Sequence, residues 1–308
     1  MDLRAKIRHE VEAVGGSHEE PAIYGGPAGD PGLAGGPSSL SWEINGDLAS
    51  VLGAGMAAII MEVLHPSVMA GVFQQSSYET EPLKRAQNTL GYVLRTTFGN
   101  TEAATGVIQR VHRVHSHING VRPDGVPYRA LDPELIAWVH TCIPWAVMEA
   151  FHRYHRPLSL AERNQYLAEQ APIGLMSGAE EVPTSMAELE AFVERMRPLM
   201  AMNEQTRRFI AFLAGDSDGE FGVKPRKQLE NRLGIAASMS LMPAWARHLT
   251  GTYQPAIVRR LYLEPNARLQ ARIIRWAYPE LPCKALATAR ATAPAEAPAP
   301  ASSPALAD

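Results

Sequence analysis

The sequence predicts an all-α protein that folds as a single multi-helix globular domain. Apolar residues recur with helical spacing along most of the chain, and no segment shows the apolar–polar alternation typical of a strand. Hydrophobic residues make up 46% of the 308 residues and charged residues 20%, which is enough apolar material for a buried core. We expect the domain to span residues 41–281, between two disordered tails.

The two tails are predicted from their composition. Residues 1–37 hold eight glycines and four prolines, and residues 282–308 hold five prolines among many alanines. Chain of this kind has too few large apolar side chains to form a packed core. The sequence therefore predicts disorder over 1–40 and 282–308.

Capping residues and helix breakers define the first helices of the domain. We expect Asp47 to cap an apolar helix that ends before Pro66, because proline cannot continue a helix. A second helix is expected over 82–98, with a proline in its first turn, and a third over 101–120.

A turn-rich connector over 121–133 leads to the later helices. Asp132 and Pro133 are typical of a helix start, so a fourth helix is expected from Glu134 to about Tyr154, kinked or split at Pro144. Further helices are expected over 159–171, 185–200, 204–214, 227–248 and 266–277.

Composition also excludes several classes of protein. The chain has 29 basic and 32 acidic residues and a net charge of -3, without runs of lysine or arginine, so we expect no nucleic-acid or anionic-membrane footprint. Two distant cysteines, Cys142 and Cys283, cannot build a disulfide framework or a cysteine-based zinc site. There is no Gly-x-Ser-x-Gly nucleophile motif and no glycine-rich phosphate loop.

The localisation prediction depends on the apolar segments. The first ten residues do not resemble a secretory signal, because no apolar stretch follows them. The longest apolar stretch, over 49–64, is interrupted by Glu62 and is shorter than the ~20 residues of a membrane span. We therefore expect no transmembrane segment and a cytoplasmic protein.

Histidines are the most informative residues, since six of the ten lie between His112 and His155. At 100° per residue, His115 falls inside the apolar stripe of the third helix, with His112 at its edge and His117 on the solvent side. His140 lies on the apolar face of the fourth helix.

An inward-facing imidazole must satisfy its ring nitrogens, and the spacing leaves two interpretations open. Each histidine could be a hydrogen-bonded core residue, or it could bind a metal. A non-haem iron or zinc site from His112, His115 and His140 is conceivable, but no carboxylate has the spacing that usually accompanies such ligands. His65, at a helix end, is expected to interact with the helix dipole.

Three motifs together resemble one known family. They are HPSVMAGVFQQSSYETEPLKRAQNT (65–89), RVHRVHSHINGVRPDGVPYRALDPELIAWVH (110–140) and YLAE (166–169). In this order they are similar to the MpaB-type and rubber-oxygenase catalytic domain, over roughly residues 42–251. The resemblance implies an all-helical fold, b-type haem, and the use of dioxygen to cleave carbon–carbon double bonds of isoprenoid chains.

The resemblance also implies site residues. The axial histidine of the rubber oxygenases lies in an Arg-x-x-His-x-x-x-Arg segment, which places the iron ligand at His115. His112 and Asn119 replace the two arginines. His140 belongs to the family-like WVH run and is expected to orient the ligand or the haem.

A second family segment, Arg-x-x-Lys-Thr, corresponds to Arg85, Asn88 and Thr89. These positions share one helix face, so they can line a pocket jointly. The resemblance implies that Arg85 pairs with a haem propionate, while Asn88, in place of the lysine, leaves the distal side to water, dioxygen or substrate. No residue matches the family glutamate proposed as a base, although Glu62, Glu79 and Glu81 lie nearby.

The leading hypothesis is a haem-b-dependent oxygenase that acts with dioxygen on a hydrophobic, unsaturated substrate, isoprenoid or lipid-like, by C=C cleavage or a related oxygenation. We assign His115 as the metal ligand, Arg85, His140 and His112 as cofactor-binding, and Arg85, Asn88 and Thr89 as catalytic. The sequence does not identify an electron donor. The alternatives are a non-catalytic haem or lipid carrier or sensor, and a haem-free helical protein with structural histidines.

Overall fold

The computed structural model describes residues 2–16, 20–76, 78–214 and 234–294, and their architecture is all-α. The only sheet in these ranges has two short strands, β1 (Asn119–Val121) and β2 (Pro127–Arg129). The helices are α1 (Leu3–Gly15), α2 (Pro21–Tyr24), α3 (Leu40–Ile44), α4 (Leu48–Val63), α5 (Pro66–Gln75), α6 (Pro82–Phe98), α7 (Thr101–His115), α8 (Pro133–Tyr154), α9 (Leu160–Met176), α10 (Met186–Met196), α11 (Glu204–Ala214), α12 (234–239), α13 (Ala244–Leu249), α14 (Ala256–Val258), α15 (Glu264–Ala277) and α16 (Pro282–Thr292).

Helices α4 and α8 form the centre of the domain and pack along each other. Both are apolar on most sides, which is the pattern of helices enclosed by others. The side chain of Asp132 accepts a hydrogen bond from the backbone N–H of Glu134 and caps α8, as predicted. Pro144 does not split α8, which continues as one helix to Tyr154.

The predicted helix α6 is confirmed at both ends. Asn100 then caps α7, with its Oδ1 2.8 Å from the backbone nitrogen of Ala103. Helix α7 ends at His115 and not at residue 120, so the prediction of a longer helix is wrong. Strands β1 and β2 form an antiparallel hairpin in the segment that follows.

The predicted capping role of Asp47 is also wrong. Asp47 occupies the N-cap position of α4, but its carboxylate accepts hydrogen bonds from Ser50 Oγ and from the guanidinium of Arg275. The other helices lie near their expected places, except over 227–248. There, residues 227–233 lie outside the described residues, and the rest forms α12 and α13 with Pro243 between them.

Helix α5 was not expected from the sequence. His65 is the N-cap residue of this helix, because its imidazole Nδ1 accepts a hydrogen bond from the backbone N–H of Ser67. The expected interaction of His65 with the dipole of α4 is thus replaced by capping of α5. In the described part of the chain, no single helix is long and apolar enough to cross a membrane. Only α4 and α5 together meet that test, and they are bent by 106°.

The prediction of disordered tails is wrong for the described residues at both ends. Tyr24 and Ala34 are buried in the core, and α1 and α16 pack on other helices. Arg290 of α16 joins the two ends, because its guanidinium donates to the backbone carbonyls of Tyr24 and Asp30. Composition is a poor guide here, since these glycines form turns with positive φ, such as Gly32, rather than flexible linkers.

Candidate functional site

A cavity of about 380 Å³ lies beside the central helix pair, where α4, α5, α6, α7, α8 and the hairpin meet. It contains all six site residues predicted from the sequence, although they come from three different helices. Those residues are Arg85, Asn88, Thr89, His112, His115 and His140. Its volume is within the range of small-molecule and cofactor sites.

Two histidines form one wall of the cavity. His115 ends α7 and His140 lies in the middle of α8; both are half-buried. Burial lowers the pKa of His140 to about 4, and burial beside His112 lowers the pKa of His115. Both imidazoles are therefore neutral at pH 7. Among the described residues, no group forms a hydrogen bond with either ring.

The neighbours of these histidines fix their positions. The ring of Tyr92 meets that of His140 edge-on, with 6.0 Å between the ring centroids. Tyr92 in turn shares a 3.1 Å hydrogen bond with Ser177. Gly174 packs closely against His140, because a Cβ at this position would lie 2.7 Å from Val182 Cγ2 and 3.0 Å from the Cβ of His140. His112 is exposed but still lines the cavity, whereas His117 does not.

Helix α6 forms the opposite side of the cavity with Arg85, Asn88 and Thr89 at i, i+3 and i+4. Arg85 donates through Nη1 to Ser76 Oγ, and Thr89 donates through Oγ1 to the carbonyl oxygen of Arg85, 3.2 Å away. The Nε of Arg85 is buried and has no hydrogen-bond partner in the described part of the chain. Burial lowers the pKa of Arg85, although the nearby carboxyl of Glu62 opposes the shift.

Glu62 also belongs to the cavity, although its sequence position did not assign it to the site. Its carboxyl lines the cavity, and burial raises its pKa to about 8, an effect that Arg85 reduces. None of the described groups forms a hydrogen bond or ion pair with this carboxyl. One feature of the sequence could have indicated this role: Glu62 is the only charged residue within the apolar stretch over 49–64.

A second cavity of about 320 Å³ adjoins the first. Its lining is almost entirely apolar, with Tyr78, Phe209 and Phe212 among the large side chains. Four residues line both cavities: Glu62, Arg85, Thr89 and Ile143. The polar groups of the site therefore lie where an apolar chamber meets the chamber that contains the histidines.

Two other family-like residues have structural roles in the fold. The hydroxyl of Tyr166 is fully buried and donates to Asn45 Oδ1 at 2.8 Å. The carboxylate of Glu169 accepts from the backbone N–H groups of Leu40 and Ser41 at the start of α3. The YLAE motif thus packs and caps helices.

The non-haem metal site considered from the sequence is not formed. Within the described ranges, no three His, Cys, Asp or Glu side chains lie close enough to hold a metal ion. A cofactor that carries most of its own metal ligands needs fewer ligands from the protein; haem iron, for example, needs only one or two.

Together, the fold and the cavity define an all-helical protein with a histidine-containing pocket next to an apolar chamber. The profile of one family, described as the ER-bound oxygenase mpaB/B'/rubber oxygenase catalytic domain, matches residues 42–279. The chain belongs to this family of oxygenase-type enzymes, so the resemblance inferred from the three motifs is confirmed. Searches of curated proteins and of solved structures give no match.

Proposed function

We propose that this protein is a haem-b-dependent oxygenase that acts with dioxygen on a hydrophobic, unsaturated substrate, isoprenoid or lipid-like. The reaction is oxidative cleavage of a C=C bond or a related oxygenation. One observation carries the proposal: two neutral histidines and a buried guanidinium nitrogen, none of them hydrogen-bonded to a described residue, share a cavity that adjoins an apolar chamber. Family membership supports the oxygenase class.

The donor chemistry of the cavity fits a haem. Its iron would need a neutral imidazole, and His115 is kept neutral by burial. Its propionates would need cations, and the buried Nε of Arg85 has no hydrogen-bond partner among the described residues. When bound, haem supplies the activation of dioxygen.

The protein contributes ligation, orientation and control of access. His115 would hold the iron, while His140 and His112 would contact the haem or fix the position of His115. Asn88 and Thr89 line the same cavity, where the Asn88 amide and the Thr89 hydroxyl would be available to hydrogen-bond dioxygen or substrate. Glu62 holds a proton at its carboxyl at neutral pH because its pKa is raised to about 8.

The position of Glu62 is suitable for a proton donor or acceptor. The carboxyl lies at the junction of the two cavities, so it would be placed to donate or accept a proton in the proposed reaction. The apolar chamber beyond it accommodates a chain without polar groups and excludes water from the reacting atoms.

The first test is the ultraviolet–visible spectrum of the purified protein, as isolated and after addition of haem. We expect a Soret band in the parent and its loss or shift in His115→Ala, because an axial imidazole is removed. His117→Ala is the matched control: it removes a histidine two residues away that does not line the cavity, and it should keep the parent spectrum.

Turnover is tested separately, by oxygen consumption with unsaturated isoprenoids and lipids. We expect consumption by the haem-loaded parent and its loss in His115→Ala. Haem binding without oxygen consumption across these substrates would instead support the carrier or sensor alternative. No Soret band in the parent or the control, with added haem, would overturn the proposal.

A further inference from the structure

Helices α14 and α15 and the π turn between them, Arg259–Leu263, present a row of exposed apolar side chains. Leu261 is 73% exposed and Ile257 66%. The spacing is mostly four residues, which places the row along one side of a helix. Its members are Ile257, Leu261, Leu269, Ile273 and Trp276, and we call them the apolar row.

The π turn has a structural consequence for this row. In an α-helix, four residues turn by about 400°, so side chains four apart drift by about 40° around the axis. The π turn has i→i+5 hydrogen bonds and turns less per residue, which offsets part of that drift. The opposite side of α15 faces the core, where Ala271 is buried.

The charges beside the apolar row are almost all positive. Between residues 256 and 277 there are five arginines and one acidic residue, Glu264. Arg275 pairs with Asp47, but Arg260 and Arg272 are exposed and form no ion pair with any described carboxylate. The guanidinium of Arg4, from α1, lies 5.8 Å from the ring centre of Trp276 and adds a cation at the end of the row.

The whole chain carries a net charge of -3, so its overall composition does not reveal the local excess of positive charge over residues 256–277. For this reason, no anionic-membrane footprint was expected from the sequence. A helix with a basic side and exposed Leu, Ile and Trp side chains matches an interfacial helix, which buries its apolar side among lipid headgroups. A second copy of this chain fits less well, because a two-fold contact would bring the same arginines against each other.

We propose that the apolar row and its flanking arginines dock the protein onto an anionic lipid membrane, with α14 and α15 lying in the plane of the interface. The proposal is independent of the haem chemistry. The test is co-sedimentation of the full chain with vesicles of phosphatidylcholine alone, or with roughly 30% phosphatidylserine added. We expect binding to the anionic vesicles and its reduction by high salt.

Two pairs of substitutions separate the apolar and the ionic contributions. Leu261→Ser with Ile273→Ser should lower the partition coefficient by at least about tenfold, through lost apolar burial. Arg260→Gln with Arg272→Gln should lower it by about 30-fold on anionic vesicles, at roughly 1 kcal/mol for each surface arginine. All four side chains are exposed, so circular dichroism should show an unchanged fold.

Matched controls use equally exposed residues elsewhere. Leu160→Ser with Leu199→Ser removes two exposed leucines, and Arg110→Gln with Arg129→Gln makes the same change in net charge. Both controls should bind like the parent. Equal binding by all variants, or no binding by the parent, would overturn the proposal. The parent could instead be a dimer that does not bind vesicles and that becomes a monomer on substitution of Leu261→Ser with Ile273→Ser. That result would assign the apolar row to contact with a second copy of this chain.

Discussion

Two polar clusters in the core come from family-like motifs, yet they differ in their hydrogen bonding. In the first cluster, the polar groups of Tyr166, Asn45 and Glu169 all have partners: the tyrosine binds Asn45, Asn45 binds Thr97 at 2.9 Å, and Glu169 binds backbone N–H groups. In the cavity, the imidazole of His115 and the carboxyl of Glu62 have none among the described residues.

The difference separates groups that stabilise the fold from groups available to a ligand. Buried polar groups in folded proteins are nearly always hydrogen-bonded, so each exception needs a physical reason. A satisfied cluster contributes to stability, whereas an unsatisfied one costs stability until a ligand supplies the missing contacts. Substitutions in the two clusters should therefore change different measured quantities.

The largest expected effect on stability is that of Tyr166→Ala. The side chain is fully buried, so truncation leaves a cavity and removes the partner of Asn45. We expect a loss of about 3–5 kcal/mol in the free energy of unfolding, measured by urea denaturation. Haem affinity of the folded fraction should be unchanged, since Tyr166 does not line the histidine cavity.

Tyr166→Phe serves as the control for this prediction. It keeps the ring and removes only the hydroxyl, so the expected loss is about 1–3 kcal/mol from the unsatisfied Asn45 acceptor. If Tyr166→Phe were to abolish haem binding without loss of stability, the division between the two clusters would fail.

The next effect is a dependence on pH that Glu62→Gln should remove. The pKa of Glu62 is 4.5 in a free chain and about 8 when folded, so its contribution is fully present below pH 4.5 and is lost as pH rises through 8. We expect Glu62→Gln to gain stability relative to the parent, by up to about 4 kcal/mol, between pH 5 and pH 9, since one pKa unit corresponds to about 1.4 kcal/mol.

The pKa of His140 determines the pH range in which the effect of Glu62 on stability can be measured separately. Its pKa falls from 6.5 to about 4 on folding, so its contribution is present above pH 6.5 and is lost as pH falls toward 4. The two groups act in opposite directions between pH 4.5 and 6.5, and only Glu62 changes stability between pH 6.5 and 8. Glu190→Gln, at an exposed position without bonded partners among the described residues, is the control. A parent and a Glu62→Gln variant with parallel pH profiles would show that the carboxyl is solvated.

Local signals predicted part of the fold and most of the candidate site. Helix α6 was located correctly because Pro82 starts it and Gly99 ends it, and both are local effects of sequence. Helical spacing placed Arg85 and Thr89 on one face of α6, and both side chains line the same cavity. Their chemical roles stay predictions.

The remaining features depend on contacts between distant parts of the chain. Arg290 binds Tyr24 across the whole sequence, so composition alone could not show that both ends are folded. Glu62 reaches the cavity because α4 packs against α8, and no spacing rule describes that packing. The hairpin is stabilised by Tyr128, whose hydroxyl donates to Gln74 Oε1 in the unpredicted helix α5.

A smaller loss of stability is expected for Glu169→Gln. The substitution keeps the shape of the side chain but removes the charge that accepts two backbone N–H groups at the start of α3. We expect a loss of about 1 kcal/mol in the free energy of unfolding, from weaker capping. The Soret band should not change, and a changed haem spectrum would mean that this carboxyl acts on the site through α3.

Of these substitutions, His115→Ala is expected to have the smallest effect on stability and the largest effect on haem binding. The imidazole is half-buried and forms no hydrogen bond with the described residues, so its removal breaks no internal bond, and alanine is a better helix former at the end of α7. We expect the free energy of unfolding of the cofactor-free protein to change by no more than about 0.5 kcal/mol. Ile108→Ala, two turns earlier on α7 and 3% exposed, is the contrast and should cost about 2–5 kcal/mol. If His115→Ala cost as much as Ile108→Ala, His115 would be a packing residue, and the cavity would lose the group on which the haem proposal depends.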